Sequence, residues 1–476
     1  MPEAPTYAVS GDEALARYLD RTRGRRVEAY KAFLRIPSIS GIPAHAPDCR
    51  AAADALASEL RTVGMENVEV CETPGHPIVY ADWLHAAGKP TVLVYTHYDV
   101  QPVDPVELWD SPPFEPVIKD GRIMARGSSD DKAHVQMHVR AIEALLATRG
   151  ALPVNLKFIV EGEEESSSIH LDAWLDSNRD RLNADFAVIS DTSFFEGNLP
   201  AITIGLRGLV YIQLDVTGSR VDLHSGAYGG AVDNPANALC QIVAALKGSD
   251  GRVKVPGFYD DVAELTELDR AAFAALPLDE DAYRDGIGVP ALFGEPGFSV
   301  LERLGGRPTL DVNGIWGGFE GDGPKTIIPA HAHAKISCRL VANQDPDRIL
   351  ELLAAFIAEV APKTVRYSIQ NLGCGGASLT PIDHPATQAA ARAMEATFGV
   401  SPLYIREGGS VPVCASFESI LGLSTVLLGF APPDGQFHAP NEWMLMSSFE
   451  TGIRTIARYW DEVARLNIGE QRGASA

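Results

Sequence analysis

Four short runs rich in β-branched residues, Thr91 to Thr96, Val154 to Val160, Phe186 to Ser190 and Ala201 to Ile204, share residues 51–204 with helical patterns. Helices are predicted at Ala51 to Leu60 and Lys132 to Leu146, each with a glycine close behind, Gly64 and Gly150, as helices commonly end. This order predicts an α/β domain, a mixed, mostly parallel sheet flanked by helices. Open sheets of this kind bind ligands beyond the carboxyl ends of their strands. The reactive side chains fall there: His97 directly after the first run, Glu164 and Glu165 after the second, and Asp191 directly after the third. His438 follows a further run, Val426 to Phe430, across a loop that contains Pro432 and Pro433.

From Gly205 the texture changes. Val210, Ile212, Leu214 and Val216 alternate with Tyr211, Gln213 and Asp215, the period of a strand with one solvated face. A helix, Pro235 to Leu246, follows an Asn-Pro start; later Ala332, Ala334, Ile336, Cys338 and Leu340 line one face of a strand and His331, His333, Lys335, Ser337 and Arg339 the other. Another helix runs from Asp347 to Val360. Half-wet strands with two helices predict an α+β sandwich of its own. After about Gly376 the first pattern returns with the helix Ala386 to Phe398, the strand Ser424 to Gly429 and a terminal helix from Ser447 to about Leu466. The expected organisation is a first domain in two parts, 1–205 and 378–476, with a second domain, 206–377, inserted between them. The tail after Gly469 reads as disordered.

The net charge of −23, with 63 acidic against 40 basic residues, excludes a nucleic-acid partner, because binding a phosphate backbone needs clustered Lys and Arg. No basic stretch with an apolar core follows Met1-Pro2-Glu3-Ala4-Pro5, and no apolar run approaches the roughly 18 residues of a membrane span. The expectation is a cytoplasmic protein that handles small molecules and meets no membrane. Six scattered cysteines without Cys-x-x-Cys suggest neither a disulfide scaffold nor a zinc knuckle. They are expected to be small buried hydrophobes.

Taken singly, a carboxylate after a strand is more often a helix cap or a solvated loop than a metal ligand. The coincidence of several at strand ends, with two histidines, points instead to a cocatalytic pair of metals. Other clusters carry less. His134 and His138 have the spacing of a helical zinc pair, but position 135 is Val where that motif needs Glu, and their apolar neighbours mark core or near-site histidines. His331 and His333 share a face with Lys335 and Arg339, a poor place for a cation. Asp279-Glu280-Asp281, with Asp285 beyond, reads as a solvated segment.

Six motifs and a late histidine occur in order. They are His97-x-Asp99, Gly127-x-x-Asp130-Asp131-Lys132, Glu161-Gly162-x-Glu164-Glu165, Ser190-Asp191, Asp222-Leu223-His224-Ser225-Gly226, Arg406-Glu407-Gly408-Gly409-Ser410 and His438. Together they closely resemble the carnosinase and cytosolic non-specific dipeptidase branch of the two-metal exopeptidases, which also include aminoacylase and carboxypeptidase G. The likeness runs from about Phe33 to the last helix.

The resemblance implies a role for each matching residue. Asp130 would bridge two divalent cations, zinc or manganese or cobalt; His97 and Asp191 would complete one site, Glu165 and His438 the other. Asp99 would fix the His97 imidazole, and Glu164 would be the general base. His224, in the inserted domain, would reach across a homodimer interface to stabilise the oxyanion in the neighbouring active site, accompanied by Thr326. Arg339 and Ser410 would hold the free carboxylate of a dipeptide. The peptide after the bridging aspartate is cis in relatives, so a cis Asp130–Asp131 bond is expected. Two departures stand beside the metals: Ala133 replaces a glycine, and Ser166-Ser167-Ser168 replaces Ser-Gly-Ser. The implied activity is metal-dependent hydrolysis of dipeptides. Its rivals are an N-acyl amino acid amidohydrolase of the same fold and a non-catalytic metal-binding homologue.

Overall fold

The computed structural model describes residues 13–409 and 412–467. The chain starts with helix α1 (Glu13–Leu34), whose inward stripe is Leu15, Leu19, Tyr30, Phe33 and Leu34, and continues into α2 (Ala46–Val63). Gly64 closes α2 at φ 100°. Strands β1 (Glu66–Cys71), β2 (Ile78–Trp83) and β3 (Thr91–His97) lead to helix α3 (Lys132–Arg149), which Gly150 ends in the left-handed conformation at φ 71°. After β4 (Asn155–Glu161), β5 (Phe186–Ile189) and β6 (Ala201–Leu206) come β7 (Gly208–Thr217), α4 (Pro235–Leu246), β8 (Thr309–Trp316), β9 (His331–Leu340), α5 (Pro346–Val360) and β10 (Arg366–Gly375). Helix α6 (Pro385–Phe398), strand β11 (Thr425–Leu427) and helix α7 (Met446–Val463) close the described chain.

These elements fall into two compact units, one of residues 13–204, 380–405 and 416–467, the other of residues 205–379, 406–409 and 412–415. The first holds a mixed sheet in the order β1-β2-β4-β3-β5-β11-β6. Its centre is parallel, β3 lying between β4 and β5 with β11 parallel to β5, while β1, β2 and β6 run antiparallel to their neighbours. The central strands are buried along nearly their whole length, which is why they read as apolar runs rather than alternations. Helix α3 is buried at every residue from Lys132 to Leu145 and packs against α1 and α7. Its polar members survive there because each is bonded: Gln136 to Glu59, His138 to Ser190, and Arg140 to Glu143 and Glu59.

The second unit holds a four-stranded antiparallel sheet, β8-β9-β7-β10. Burial alternates strictly along β7 and β9, and their inward residues, Val210, Ile212, Leu214, Ala334, Ile336 and Cys338, pack with Leu239, Ile242, Ile349, Leu353 and Ile357 of α4 and α5. Each such Leu or Ile stabilises the unit by about 1.5–3 kcal/mol. Both helices are capped from the preceding residue, Asn234 accepting from Ala236 N–H and Asp345 from Asp347 N–H.

One sequence expectation needs correction here. Cys49, Cys71, Cys338 and Cys414 are buried as anticipated, but Cys240 and Cys374 are exposed. Cys240 lies beside Leu239 on α4, off the stripe that faces the sheet, and Cys374 is on the edge strand β10. No helix of the described residues is long and apolar enough to cross a membrane. The amino-terminal residues and the tail after Gly469, read above as disordered, lie outside the described residues.

Candidate metal centre

His97 is the last residue of β3, and the register of the parallel sheet brings its partners level with it. His97 pairs with Glu161 at the end of β4, and Tyr95 pairs with Ile189 of β5, so Asp191, two residues past Ile189, stands opposite His97. His97 Nε2 lies 3.1 Å from Asp130 Oδ1 and 3.8 Å from Asp191 Oδ2. Its Nδ1 lies 3.2 Å from the Asp99 carbonyl and 3.4 Å from Asp99 Oδ1. The imidazole is thereby held from one side with its Nε2 aimed at carboxylates.

Asp130 arrives on the loop that feeds α3. Its peptide with Asp131 is cis, as expected from the resemblance. Asp130 Oδ2 lies 3.0 Å from His438 Nε2, so the carboxylate sits between two imidazoles. Asp131 points the other way: it accepts from His97 N–H and pairs with His134, whose Nε2 in turn accepts from Phe430 N–H at 2.9 Å. With Nε2 an acceptor, the neutral His134 ring carries its proton on Nδ1 toward Asp131. Burial lowers His134 to about 4 and His138 to about 3, so both are neutral core histidines, as their neighbours in the sequence indicated.

After β4 the chain makes one tight turn, Glu164–Ser166, pinned by Asp99: its carboxylate accepts Glu164 N–H at 3.3 Å and Glu165 N–H at 3.0 Å. Glu165 Oε2 then lies 3.2 Å from His438 Nε2 and accepts from Gln101 Nε2 at 2.7 Å. Glu163 turns away, bonded to His170 Nδ1 at 2.8 Å and His76 N–H at 3.1 Å. The consecutive glutamates therefore have three different fates. Ser167, where the resemblance leads to the expectation of glycine, is held at φ 81°.

Two groups of side chains offer ligand atoms within 4.8 Å of one another, His97 with Asp130 and Asp191, and Asp130 with Glu165 and His438. The electrostatics show what this cluster lacks. Burial raises Asp191 to about 6 and, with the charge of Asp130, raises Glu165. Burial alone would lower His97, yet its bonds to Asp130, Asp191 and Asp99 carry it well above the ordinary histidine value. His438 is raised to about 10 by Asp130 and Glu165. Asp191 and Glu165 pushed up by burial, and imidazoles pushed up by the acidic groups around them, mark a site short of positive charge, while Asp130, between His97 and His438, is pushed down. Nitrogen and oxygen donors in two triads that share one carboxylate fit a pair of divalent cations. Glu164 belongs to neither triad; burial first, and then Asp191, Glu165 and Asp130, raise it well above the ordinary glutamate value despite the opposing pull of His97.

The remaining described candidates, His224, Thr326 and Arg339, belong to the second unit. His224 and Thr326 come together there: His224 pairs with Ile327 across two short strands, and Ser225 N–H donates to the Thr326 carbonyl at 3.0 Å. His224 is exposed, and its Nδ1 accepts Gly226 N–H at 3.0 Å. Arg339 lies on the wetter face of β9, close enough to Arg207 that, after burial, it is the main cause lowering Arg207 to about 10. Ser410 lies outside the described residues. His333 is bonded to Asp215 and stacked on Trp316, and Asp279 caps the helix that follows it, so neither the strand histidines nor the acidic run forms a metal site. Sequence reasoning missed Gln101, Arg126 and Glu442. Each bonds to backbone or to a neighbouring carboxylate, and the spacings alone carry no signal for that.

The sequence model of Peptidase family M20/M25/M40 matches residues 93–462. The Cys-Gly metallodipeptidase of Schizosaccharomyces pombe is 30% identical over 471 residues, covering 96% of this chain and 99% of that one. Among solved structures, human carnosine dipeptidase 1 superposes with a TM-score of 0.76 at 30% identity, covering 95% of this chain and 99% of that one. An M20 family metallo-carboxypeptidase from Sulfolobus solfataricus gives a TM-score of 0.80 at 32% identity, covering 93% and 99%. On the matched residues and the full-length likeness, this chain belongs to Peptidase family M20/M25/M40.

Proposed function

We propose that this chain is a dinuclear metal-dependent dipeptidase; the observation that carries the reading is the pair of ligand triads hinged on Asp130, with Glu164 beside them. His97, Asp130 and Asp191 would hold one divalent cation, and Asp130, Glu165 and His438 the other, with zinc, manganese and cobalt all suited to these donors. Cations so held would supply Lewis acidity to a water and to the scissile carbonyl. The chain's own groups do the rest. Glu164, its backbone pinned by Asp99, accepts the proton of the attacking water and returns it to the leaving amine. Asp99 also fixes the orientation of the His97 ring.

His224 accepts at Nδ1, so its neutral ring carries the proton on Nε2, the arrangement needed to donate to the oxyanion developing on the scissile carbonyl. A donor of this type is worth about 10²–10³ in rate. We assign it, with Thr326, to the active site of the neighbouring subunit of a homodimer formed through the second unit. Support for such pairing comes from the edge strand β8, where Val312, Ile315 and Trp316 are exposed, with Phe319 just beyond. Arg339 and Ser410 are assigned to the free carboxylate of the substrate. A second guanidinium near Arg339, that of Arg207, supports an anionic group at that place.

The names of the relatives, a Cys-Gly metallodipeptidase and a carnosine dipeptidase, support dipeptides as the substrate class. The cysteines form no disulfide among the described residues, which supports a reducing, cytoplasmic setting. The test is to strip the protein with a chelator, return zinc, manganese or cobalt stepwise, and assay a dipeptide panel beside N-acetyl amino acids. Turnover of dipeptides that is complete at two equivalents of metal is expected. Preference for the N-acetyl amino acids would make the chain an amidohydrolase of the same fold. No turnover with any of the three metals would make it a non-catalytic homologue.

A further inference from the structure

Asp130 and His438 face each other at 3.0 Å, yet they come from loops 308 residues apart in the chain. One buried side chain ties those loops together. Glu442, four residues after His438 and fully buried, accepts from Ser129 N–H at 2.7 Å and Asp130 N–H at 3.1 Å on Oε1. On Oε2 it accepts from Gly127 N–H at 2.8 Å and Arg126 Nη1 at 2.9 Å. The backbone repeats the connection, since Ala125 N–H donates to the Glu442 carbonyl at 3.1 Å and Ser129 Oγ to the Trp443 carbonyl at 2.7 Å. Arg126 extends it to the strand-end loop of His97, its Nη2 donating to the Pro102 carbonyl at 3.0 Å.

The geometry around this carboxylate is specific. Gly127 has φ 80°, and a Cβ there would meet Val100 Cγ1 at 2.6 Å, so the loop passes Val100 only as glycine and its N–H is turned onto Glu442. On the other side Gln436, His438 and Asn441 all have positive φ, a conformation that non-glycine residues hold only when their surroundings fix it. The base of that loop is closed by Trp443 N–H on the Gly435 carbonyl at 3.1 Å and Trp443 Nε1 on the Asp434 carbonyl at 3.1 Å. Glu442 stands where the closed loop meets the loop of the bridging aspartate.

We propose that Glu442 is a positioning residue of the metal centre: its carboxylate, by binding the Asp130 loop from the His438 loop, sets the separation of these two ligands before metal arrives. The inference rests on the two-metal reading above. It makes the centre preorganised rather than assembled by the cations, and it assigns the task to a group that touches neither metal nor substrate.

The chemistry makes a near-isosteric change informative. Glu442→Gln keeps the volume, but one amide NH₂ must then face two donors, either the N–H groups of Ser129 and Asp130 or those of Gly127 and Arg126. The experiment is calorimetric titration of zinc into the metal-free full-length protein, with Glu295→Gln as a control. Glu295 is likewise buried and paired with Arg307, but lies in the second unit. Losing a partner that orients a ligand typically weakens metal affinity about 10–100-fold, and that loss is expected in at least one zinc site of Glu442→Gln. Glu295→Gln should bind zinc as wild type does, whatever its melting temperature.

Equal zinc affinity in wild type and Glu442→Gln would overturn the proposal, as would the same loss in both variants, which would mark general destabilisation. Hydrogen exchange on the wild-type protein tests it without any variant. The amides of Gly127, Ser129 and Asp130 should be protected already in the metal-free state. Protection that appears only when zinc is added would show that the cations, not Glu442, set the loop. Wild-type protein that takes up no zinc, manganese or cobalt would instead sink the two-metal reading itself, a result distinguishable from all of these.

Discussion

Three consecutive glutamates show how far residue identity is from residue role. Glu163, Glu164 and Glu165 have the same side chain, but Glu163 is used up by His170 and His76, Glu165 faces His438, and Glu164 is raised by burial beside the ligand cluster without joining a triad. Asp99 accepts the N–H groups of Glu164 and Glu165 and so fixes which way each carboxylate leaves the turn. Glu164→Gln should therefore keep both metals, because the ligand atoms and the pinned backbone are untouched. It should lower kcat by about 10² or more, because an amide cannot accept the water's proton. Metal analysis beside steady-state kinetics checks this. Loss of one metal with activity retained would make Glu164 a ligand. Of the proposed ligands, His97, Glu165 and Asp191 were legible because they follow apolar runs closely, whereas Asp130 and His438 stood out through the motifs of the resemblance. Gln101 and Glu442 were not legible, since accepting or donating a hydrogen bond to a neighbouring loop leaves no spacing to read.

At the scale of elements, legibility followed burial. Strands β3, β4, β5 and β6, helices α3 and α4, and the half-buried β7 and β9 stand close to where the apolar runs and alternations put them. Strand β2 is an exception, buried at all of its residues and yet not read from the run Ile78 to Ala81; the other elements that escaped lack such a signal. Helix α1 is rich in Arg and buries Arg26 on its inward side; the edge strand β10 is exposed along most of its length, and β8 is buried only at Leu310, so neither alternates. The turn after β4 adds an energetic point. Ser167 occupies φ 81°, where an L-residue costs roughly 1–2 kcal/mol more than glycine. Glycine gives back about 0.4–1 kcal/mol through the larger entropy of the unfolded chain. The balance favours the substitution: Ser167→Gly should raise the melting temperature slightly, with metal content unchanged, as thermal denaturation of the two proteins would show. A fall would mean that Ser167 makes a contact worth more than its backbone strain.

At the scale of the whole molecule, the proposed metal ligands lie in the first unit and His224, Thr326 and Arg339 in the second, so the proposed mechanism draws on both. The proposed assignment of His224 to a neighbouring subunit has a consequence that one chain cannot show. His224→Ala and Glu164→Gln should each be inactive alone, the first for lack of the oxyanion donor, the second for lack of the base. In a heterodimer, the site built on the His224→Ala chain keeps its own Glu164 and receives His224 from the Glu164→Gln chain, while the opposite site lacks both. Random exchange of equal amounts makes half the dimers heterodimers with one competent site of two, so about a quarter of wild-type activity should return. Subunit exchange verified by mass difference, followed by assay on a dipeptide, reads this directly. Recovery near a quarter would require donation between subunits, because no pairing of these variants restores a site that uses only its own chain's groups. No recovery after complete exchange would mean that His224 serves its own chain or lies outside catalysis, and the homodimer would then have no part in the chemistry.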